Sequence, residues 1–241
     1  MRRGWALLAL AAGCSGISDN ADGIASLELT LPVNLYLEKG VPLQLKAVAR
    51  NAAGDSVGVP LVWRSSDTTI TVDSVRGTVT PLRDAGTARI QVAAFGQDTL
   101  VTRYDALVFT LTPKADTLIL TGPDSLNATV DSIGTAPIGV RLMGGAPLIG
   151  VGGRPVTFRI VEPVQSDSPN VVLSTGGFAS NRIVDSVLTA GTGAPAAGPA
   201  VRAARGRTAP DRAVVEINAY RASGALIPGS RRLVVVRFLH Q

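Results

Sequence analysis

The run Val62-Trp63-Arg64-Ser65-Ser66-Asp67 constrains the fold more than any other stretch of the chain. A large ring stands on an apolar strand, and a polar corner follows it at once. The chain then offers Val72-Asp73, Gly77-Thr78-Val79-Thr80 and Gly86-Thr87-Ala88-Arg89-Ile90. Short period-two segments led by turn residues read as strands. Stacked sheets need bulk between them. With a single cysteine in the chain, no disulfide supplies it, so Trp63 is the expected core residue. Gly77 and Gly86 are expected to make tight turns that a Cβ would strain.

The flanking sequence agrees. Leu27, Leu29 and Leu31 alternate with Glu28 and Thr30. Leu35 and Leu37 come next, and Gly40 marks a turn. Leu43 to Ala49 alternates as one strand, and Asn51 to Ser56 is a turn. Leu61–Arg64, Thr78–Thr80, Ala88–Ala94 and Thr99–Tyr104 follow, giving about seven short strands at sandwich-like spacing. None of this has helical periodicity. With 46% hydrophobic and only 17% charged residues, 26 Gly and 15 Pro, the chain can build a packed core and is rich in turns. Ser65-Ser66-Asp67 is read as a turn cap made by side-chain to backbone hydrogen bonds; the alternative is a ligand site.

These motifs, in this order, resemble a bacterial immunoglobulin-like domain of group 2, the type repeated in intimin-like adhesins. The pattern is a glycine before the second strand, Trp-x-Ser-Ser-Asp, Val-Asp, Gly-x-Val-Thr and Gly-Thr-Ala-x-Ile. Gly40, Trp63 to Asp67, Val72-Asp73, Gly77 to Thr80 and Gly86 to Ile90 match it. Thr71 departs from it, where the family usually has a small residue.

The remainder reads as a second strand-rich unit. Leu107–Leu111 opens it, Pro113 marks the junction and Thr117–Leu120 continues it. Gly122 to Thr135 is turn-rich. Ile138–Met143, Val156–Ile160, Val171–Leu173, Ile183–Leu188, Val214–Tyr220 and Leu233–Phe238 are further strands, and Thr189–Pro199 is a loop. Gly139 to Leu142, then Pro155-Val156-Thr157-Phe158, Ala209-Pro210-Asp211 and Val214 to Ile217 resemble group 1, invasin-type domains. The Asp of their first turn is missing and that turn is longer. Phe158 and Phe178 are expected in the core.

Met1-Arg2-Arg3, the apolar run from Trp5 to Ala12 and Gly13-Cys14 have the parts of a secretory signal. The run is shorter than the about 20 residues needed to span a bilayer. A cysteine directly after small residues resembles the lipobox of bacterial lipoproteins. That resemblance implies cleavage before Cys14 and acylation of it, and two or three acyl chains anchor stably. Ala11, where the family more often has Leu, is a departure. Ser15 to Gly23 reads as a flexible tether, and Ser15 resembles the pattern sent to the outer membrane.

Chemistry is sparse. A Ser or Cys nucleophile needs a base, and His240 is the one histidine, too few ligands for a zinc site. No Asp-x-Asp run suggests calcium, and Gly150-Val151-Gly152-Gly153 lacks the lysine of a phosphate loop. Eighteen acidic residues leave a two-carboxylate glycosidase open. Without Arg2 and Arg3, 21 basic residues face 18 acidic ones, a net charge of +3. Eight arginines lie beyond Val201 (202, 205, 207, 212, 221, 231, 232, 237), but they are spread out with no aromatic platform, which argues against nucleic acid.

The expectation is therefore all-β: two tandem immunoglobulin-like β-sandwiches after a lipoprotein signal peptide. The segments are 1–13 signal, 14–23 lipidated tether, 24–106 first domain and 107–241 second domain. The expected role is non-enzymatic, as an adhesion, spacer or envelope-interaction module on the outer membrane or cell surface, with no cofactor, metal, nucleic acid or small-molecule substrate. Its partners would be the membrane, through acyl chains on Cys14, and a protein or polysaccharide of the envelope. The alternative is a carbohydrate-binding accessory lipoprotein of a polymer-degrading system, which would need an exposed row of aromatics.

Overall fold

The structure is a computed structural model and describes residues 23–95, 102–130, 134–164, 169–175, 182–190 and 195–239. Cys14, the tether to Asp22, Phe178 and His240 lie outside the described residues. Every regular element among the described residues is a strand, so the chain is all-β.

The first sandwich uses ten strands: β1 (Ser26–Thr30), β2 (Tyr36–Glu38), β3 (Leu43–Gln44), β4 (Lys46–Arg50), β5 (Ser56–Val57), β6 (Leu61–Arg64), β7 (Ile70–Val72), β8 (Thr78–Pro81), β9 (Thr87–Phe95) and β10 (Thr102–Thr112). One layer is the four-stranded sheet β2-β10-β9-β6. The other is made of β1-β4-β5 and β3-β8-β7. Leu43 to Ala49 alternates as one strand but is broken at Leu45, whose N–H turns to the Gly77 carbonyl at 3.0 Å. That break lets β3 pair with β8 while β4 pairs with β1. Leu43, Ile70 and Val79 then meet Trp63, Ile90, Val92 and Phe109 across the interior.

The second sandwich follows after Pro113 to Asp116. Its strands are β11 (Thr117–Leu120), β12 (Ser125–Thr129), β13 (Gly139–Gly144), β14 (Ile149–Gly150), β15 (Pro155–Glu162), β16 (Val171–Ser174), β17 (Val184–Leu188), β18 (Ala196–Ala197), β19 (Ala200–Ala203), β20 (Arg212–Ala219) and β21 (Arg232–Leu239). The sheet β12-β21-β20-β15-β17 covers one face of the core. The pieces β11-β13-β14, with β18 on β13, and β16-β19 complete the fold. Val156, Phe158, Val215, Ile217, Val234 and Val236 recur at every second position on their strands and are almost fully buried in this core.

The two sandwiches repeat one device. In each, an early strand runs parallel to the last: β2 beside β10 and β12 beside β21. All other strand pairs among the described residues are antiparallel, and the last two strands are neighbours. The chain thus passes from one layer to the other between β1 and β2, and again between β11 and β12.

Two expectations are corrected. Of the expected strand Thr99–Tyr104 the described part is Thr102–Tyr104, and with Leu107–Leu111 it is not the end of one unit and the start of the next. β10 runs unbroken to Thr112 and pairs with β9 from Phe95 to Thr87, so the division expected at 106/107 falls inside one strand. Gly122 to Thr135 is not all turn. Ser125–Thr129 is an edge strand, held by the parallel ladder to Val235–Leu239, where tertiary pairing overrides weak local propensity.

Candidate functional site: a buried ion cluster between the two sandwiches

Three charged side chains from distant parts of the chain converge where the sandwiches meet. Glu38 is the last residue of β2 and stands beside Thr112, the last residue of β10. Arg154 sits just before β15, after the Gly152-Gly153 turn, where Gly153 has φ +70°. Arg221 follows β20 at the start of a hairpin closed by its own N–H to the Ala225 carbonyl at 2.8 Å.

Arg154 is fully buried. One end of its guanidinium, Nη1, donates to Glu38 Oε1 at 2.6 Å and to Thr112 Oγ1 at 3.3 Å. The other, Nη2, donates to the Tyr220 carbonyl at 3.1 Å. Its carbon centre lies 5.5 Å from the Tyr36 ring centroid, within cation–π range. Thr189 fixes the backbone behind it: its hydroxyl accepts from Arg154 N at 3.0 Å and donates to the Val151 carbonyl at 2.8 Å. Arg221 takes the second oxygen of Glu38 through Nη1 and donates to the Ala115 carbonyl from Nη2 at 2.9 Å.

The charges do not balance. One carboxylate, with 2% of its side chain exposed, serves two guanidiniums at 1% and 16%. Burial pushes Arg154 down to about 10, with the Tyr36 phenol acting in the opposite direction, and burial lowers Arg221 as well. Both stay cationic near neutral pH. Arg154 Nε is buried with no hydrogen-bond partner, which adds a desolvation cost.

Such a cluster is a poor device for stability alone, since apolar residues of similar volume often do as well or better. Its distinctive property is geometry. A planar fork that must satisfy a carboxylate, a hydroxyl and a carbonyl at once admits one relative placement of the parts. Two further hydrogen bonds support the same placement: Val33 N donates to the Ala222 carbonyl at 3.1 Å, and the Asn34 side chain donates from Nδ2 to Tyr220 O at 3.0 Å.

The residues singled out from sequence have other places. Trp63, 4% exposed, lies in the first core. Gly77 is buried against its ring, and a Cβ there would come within 2.6 Å of Trp63 Cε2. Gly86 is not a core residue: it is exposed with φ +105° and open space around it, so its contribution is backbone conformation. Ser65 and Asp67 make the expected cap. Asp67 N donates to Ser65 Oγ at 3.1 Å, Arg89 N to Asp67 Oδ2 at 2.6 Å, and Ser65 Oγ to the Arg89 carbonyl at 2.6 Å.

Sequence reading missed the ion cluster. Neither Glu38 nor Arg154 stood out, and Arg221 counted only as one of the eight arginines spread beyond Val201.

Among the described residues no group of three His, Cys, Asp or Glu side chains could hold a metal. A crevice bounded by Tyr36, Glu38, Pro42, Arg221 and Ser223 offers about 10 Å³, about the room of one water. Described aromatic side chains form no exposed row: Trp63, Phe109, Phe158 and Phe238 are buried, Tyr36 and Tyr220 stand at the junction, and Phe95 is exposed.

No family model matches the chain, and no curated protein matches it. Among solved structures it is similar to the fibronectin(III)-like modules of Clostridium thermocellum CbhA, at 13% identity over 89% of this chain and 95% of that one, with a TM-score of 0.37. Domains 4 and 5 of the S-layer protein SbsC share 17% identity over 90% of this chain and 98% of that one, at 0.30. The Escherichia coli adhesin FdeC shares 18% over 89% of this chain and 66% of that one, at 0.31. These likenesses are weak, and the sandwich assignment stands on the strand pairing above.

Proposed function

We propose that this chain is a lipid-anchored, non-enzymatic protein of the bacterial cell envelope whose two sandwiches act as a stiff spacer. It holds a binding surface at a set distance and angle from the membrane. The observation that carries the reading is the buried Glu38–Arg154–Arg221 cluster. Linked domains ordinarily move relative to one another unless their interface is large and apolar. Here an ion cluster that specifies one geometry takes that place. Cys14, with its lipobox resemblance, supports the anchor, and the envelope polymer or protein bound by the far surface is the partner.

Two measurements test the parts separately. On membrane fractionation the parent chain pellets with membrane and Cys14→Ser leaves it; a Cys14→Ser chain that is processed and still pellets defeats the anchor. Small-angle scattering of the same variant should fit one fixed arrangement of the two sandwiches. A curve that requires a broad ensemble of angles defeats the spacer.

A further inference from the structure

The hairpin after β20 does more than carry Arg221. Ala222, at its tip, is buried as part of the first sandwich's core cluster, which also holds Trp63, Phe109 and Leu111, and it lines a crevice with Leu37 and Leu43. Gly224 lies so close to the first sandwich that a Cβ there would come within 3.2 Å of Val33 Cγ2. Both legs of the same hairpin are rooted in the second core, through Ile217 and Ala219 before it and Ile227 after it. Ile227 N donates to the Ala219 carbonyl at 2.9 Å. One short piece of chain therefore belongs to both cores.

We infer that the Tyr220–Gly224 hairpin is a plug that closes the end of the first core, so that the two sandwiches unfold as one cooperative unit. The plug keeps its shape only while Ile217, Ala219 and Ile227 are packed. Losing the second sandwich thus withdraws Ala222 from the first core and leaves Glu38 buried without either arginine. Coupling free energies are reciprocal, so loosening the first sandwich weakens the second through the same contacts. This inference stands on packing and not on the spacer reading, since a stiff junction can also join halves that unfold independently.

Native-state hydrogen exchange on the parent chain is the first test. The slowest amides of Ile90 and Val92 in the first core, and of Val215 and Ile217 in the second, should share one opening free energy and one denaturant slope. Two distinct values would overturn the inference. The second test uses Trp5→Phe, which leaves Trp63 as the only tryptophan. Val236 is fully buried in the second core and pairs with Ala213, at the opposite end of β20 from the hairpin. Val236→Ala should lower the denaturant midpoint read by Trp63 fluorescence as much as the one read by far-ultraviolet circular dichroism. An unmoved Trp63 midpoint would overturn the inference. In an Arg221→Ala, Ala222→Gly background the Trp63 midpoint should no longer respond to Val236→Ala. A response that persists would place the coupling elsewhere and overturn the plug. Should Val236→Ala fail to fold, the exchange experiment on the parent decides.

Discussion

Arg154 and Glu38 lie 116 residues apart in the chain and meet at 2.6 Å across the boundary between the sandwiches, both almost wholly buried. Each belongs to a different sandwich, so the contact cannot form within either one alone. Thr112, Tyr220 and Arg221 complete its hydrogen bonds from both sides.

Removing one partner should therefore be far worse than removing the charges together. Glu38→Ala leaves two guanidiniums buried without a carboxylate and should destabilise the chain by about 3–5 kcal/mol. A Glu38→Met, Arg154→Met, Arg221→Met chain should recover much of that loss, because it removes the desolvation cost along with the attraction. Denaturant midpoints of the two variants check this; a triple variant no more stable than Glu38→Ala contradicts it.

The first core makes a second comparison. Trp63→Ala should cost about 3–5 kcal/mol, as other buried aromatic truncations do. Gly77→Ala combines a φ of +70° with a clash on the Trp63 ring and should cost about 2–4 kcal/mol. Gly86→Ala has a φ of +105° but open space, so backbone strain alone should make it the milder of the two. Thermal melts that reverse the order of the two glycines would refute the contact.

Much of this first core was legible in the sequence, because period-two alternation and glycine-led turns are local signals. Trp63 stands out as the one tryptophan on a strand pattern, and Ser65 and Asp67 announce a cap by residue type. Ser125–Thr129 was hidden, since a short edge strand carrying Ser125, Asn127 and Thr129 looks like a turn until its parallel partner supplies the ladder. The joined strand at Thr102–Thr112 was divided because composition shifts there while pairing does not. The ion cluster had no local signal at all: Glu38, Arg154 and Arg221 are each unremarkable in their own segments, and only the fold brings them together.

Acid should weaken two turn caps. Asp73 accepts from Arg76 N at 2.9 Å and Val75 N at 3.0 Å, and these bonds hold its carboxyl below the ordinary 3.8. Asp116 is lowered in the same way, first by Gly145 N at 2.9 Å and then by Lys114. A depressed carboxylate contributes stability above its unfolded value and loses it as pH falls through the folded one. The loss should thus fall below pH 3.8, and carboxyl titration by nuclear magnetic resonance should give both midpoints below that value. Midpoints at or above it contradict the caps.

Chelation and reduction should leave the fold unchanged. Cys14 is the single cysteine, and no described cluster suits a metal. The melting temperature should be the same with and without EDTA, calcium or reductant; a rise of several degrees with calcium would contradict this.

The most direct test of the account is the distance between the sandwiches. Thr71 on β7 and Ser186 on β17 are exposed, one on each side of the junction. In a Cys14→Ser chain carrying Thr71→Cys and Ser186→Cys, spin labels should give a single narrow distance distribution by pulsed electron paramagnetic resonance. Adding Glu38→Gln should broaden it while both sandwiches stay folded. A distribution already broad in the parent, or one that stays equally narrow after Glu38→Gln, would contradict the claim that this ion cluster sets the angle between the sandwiches.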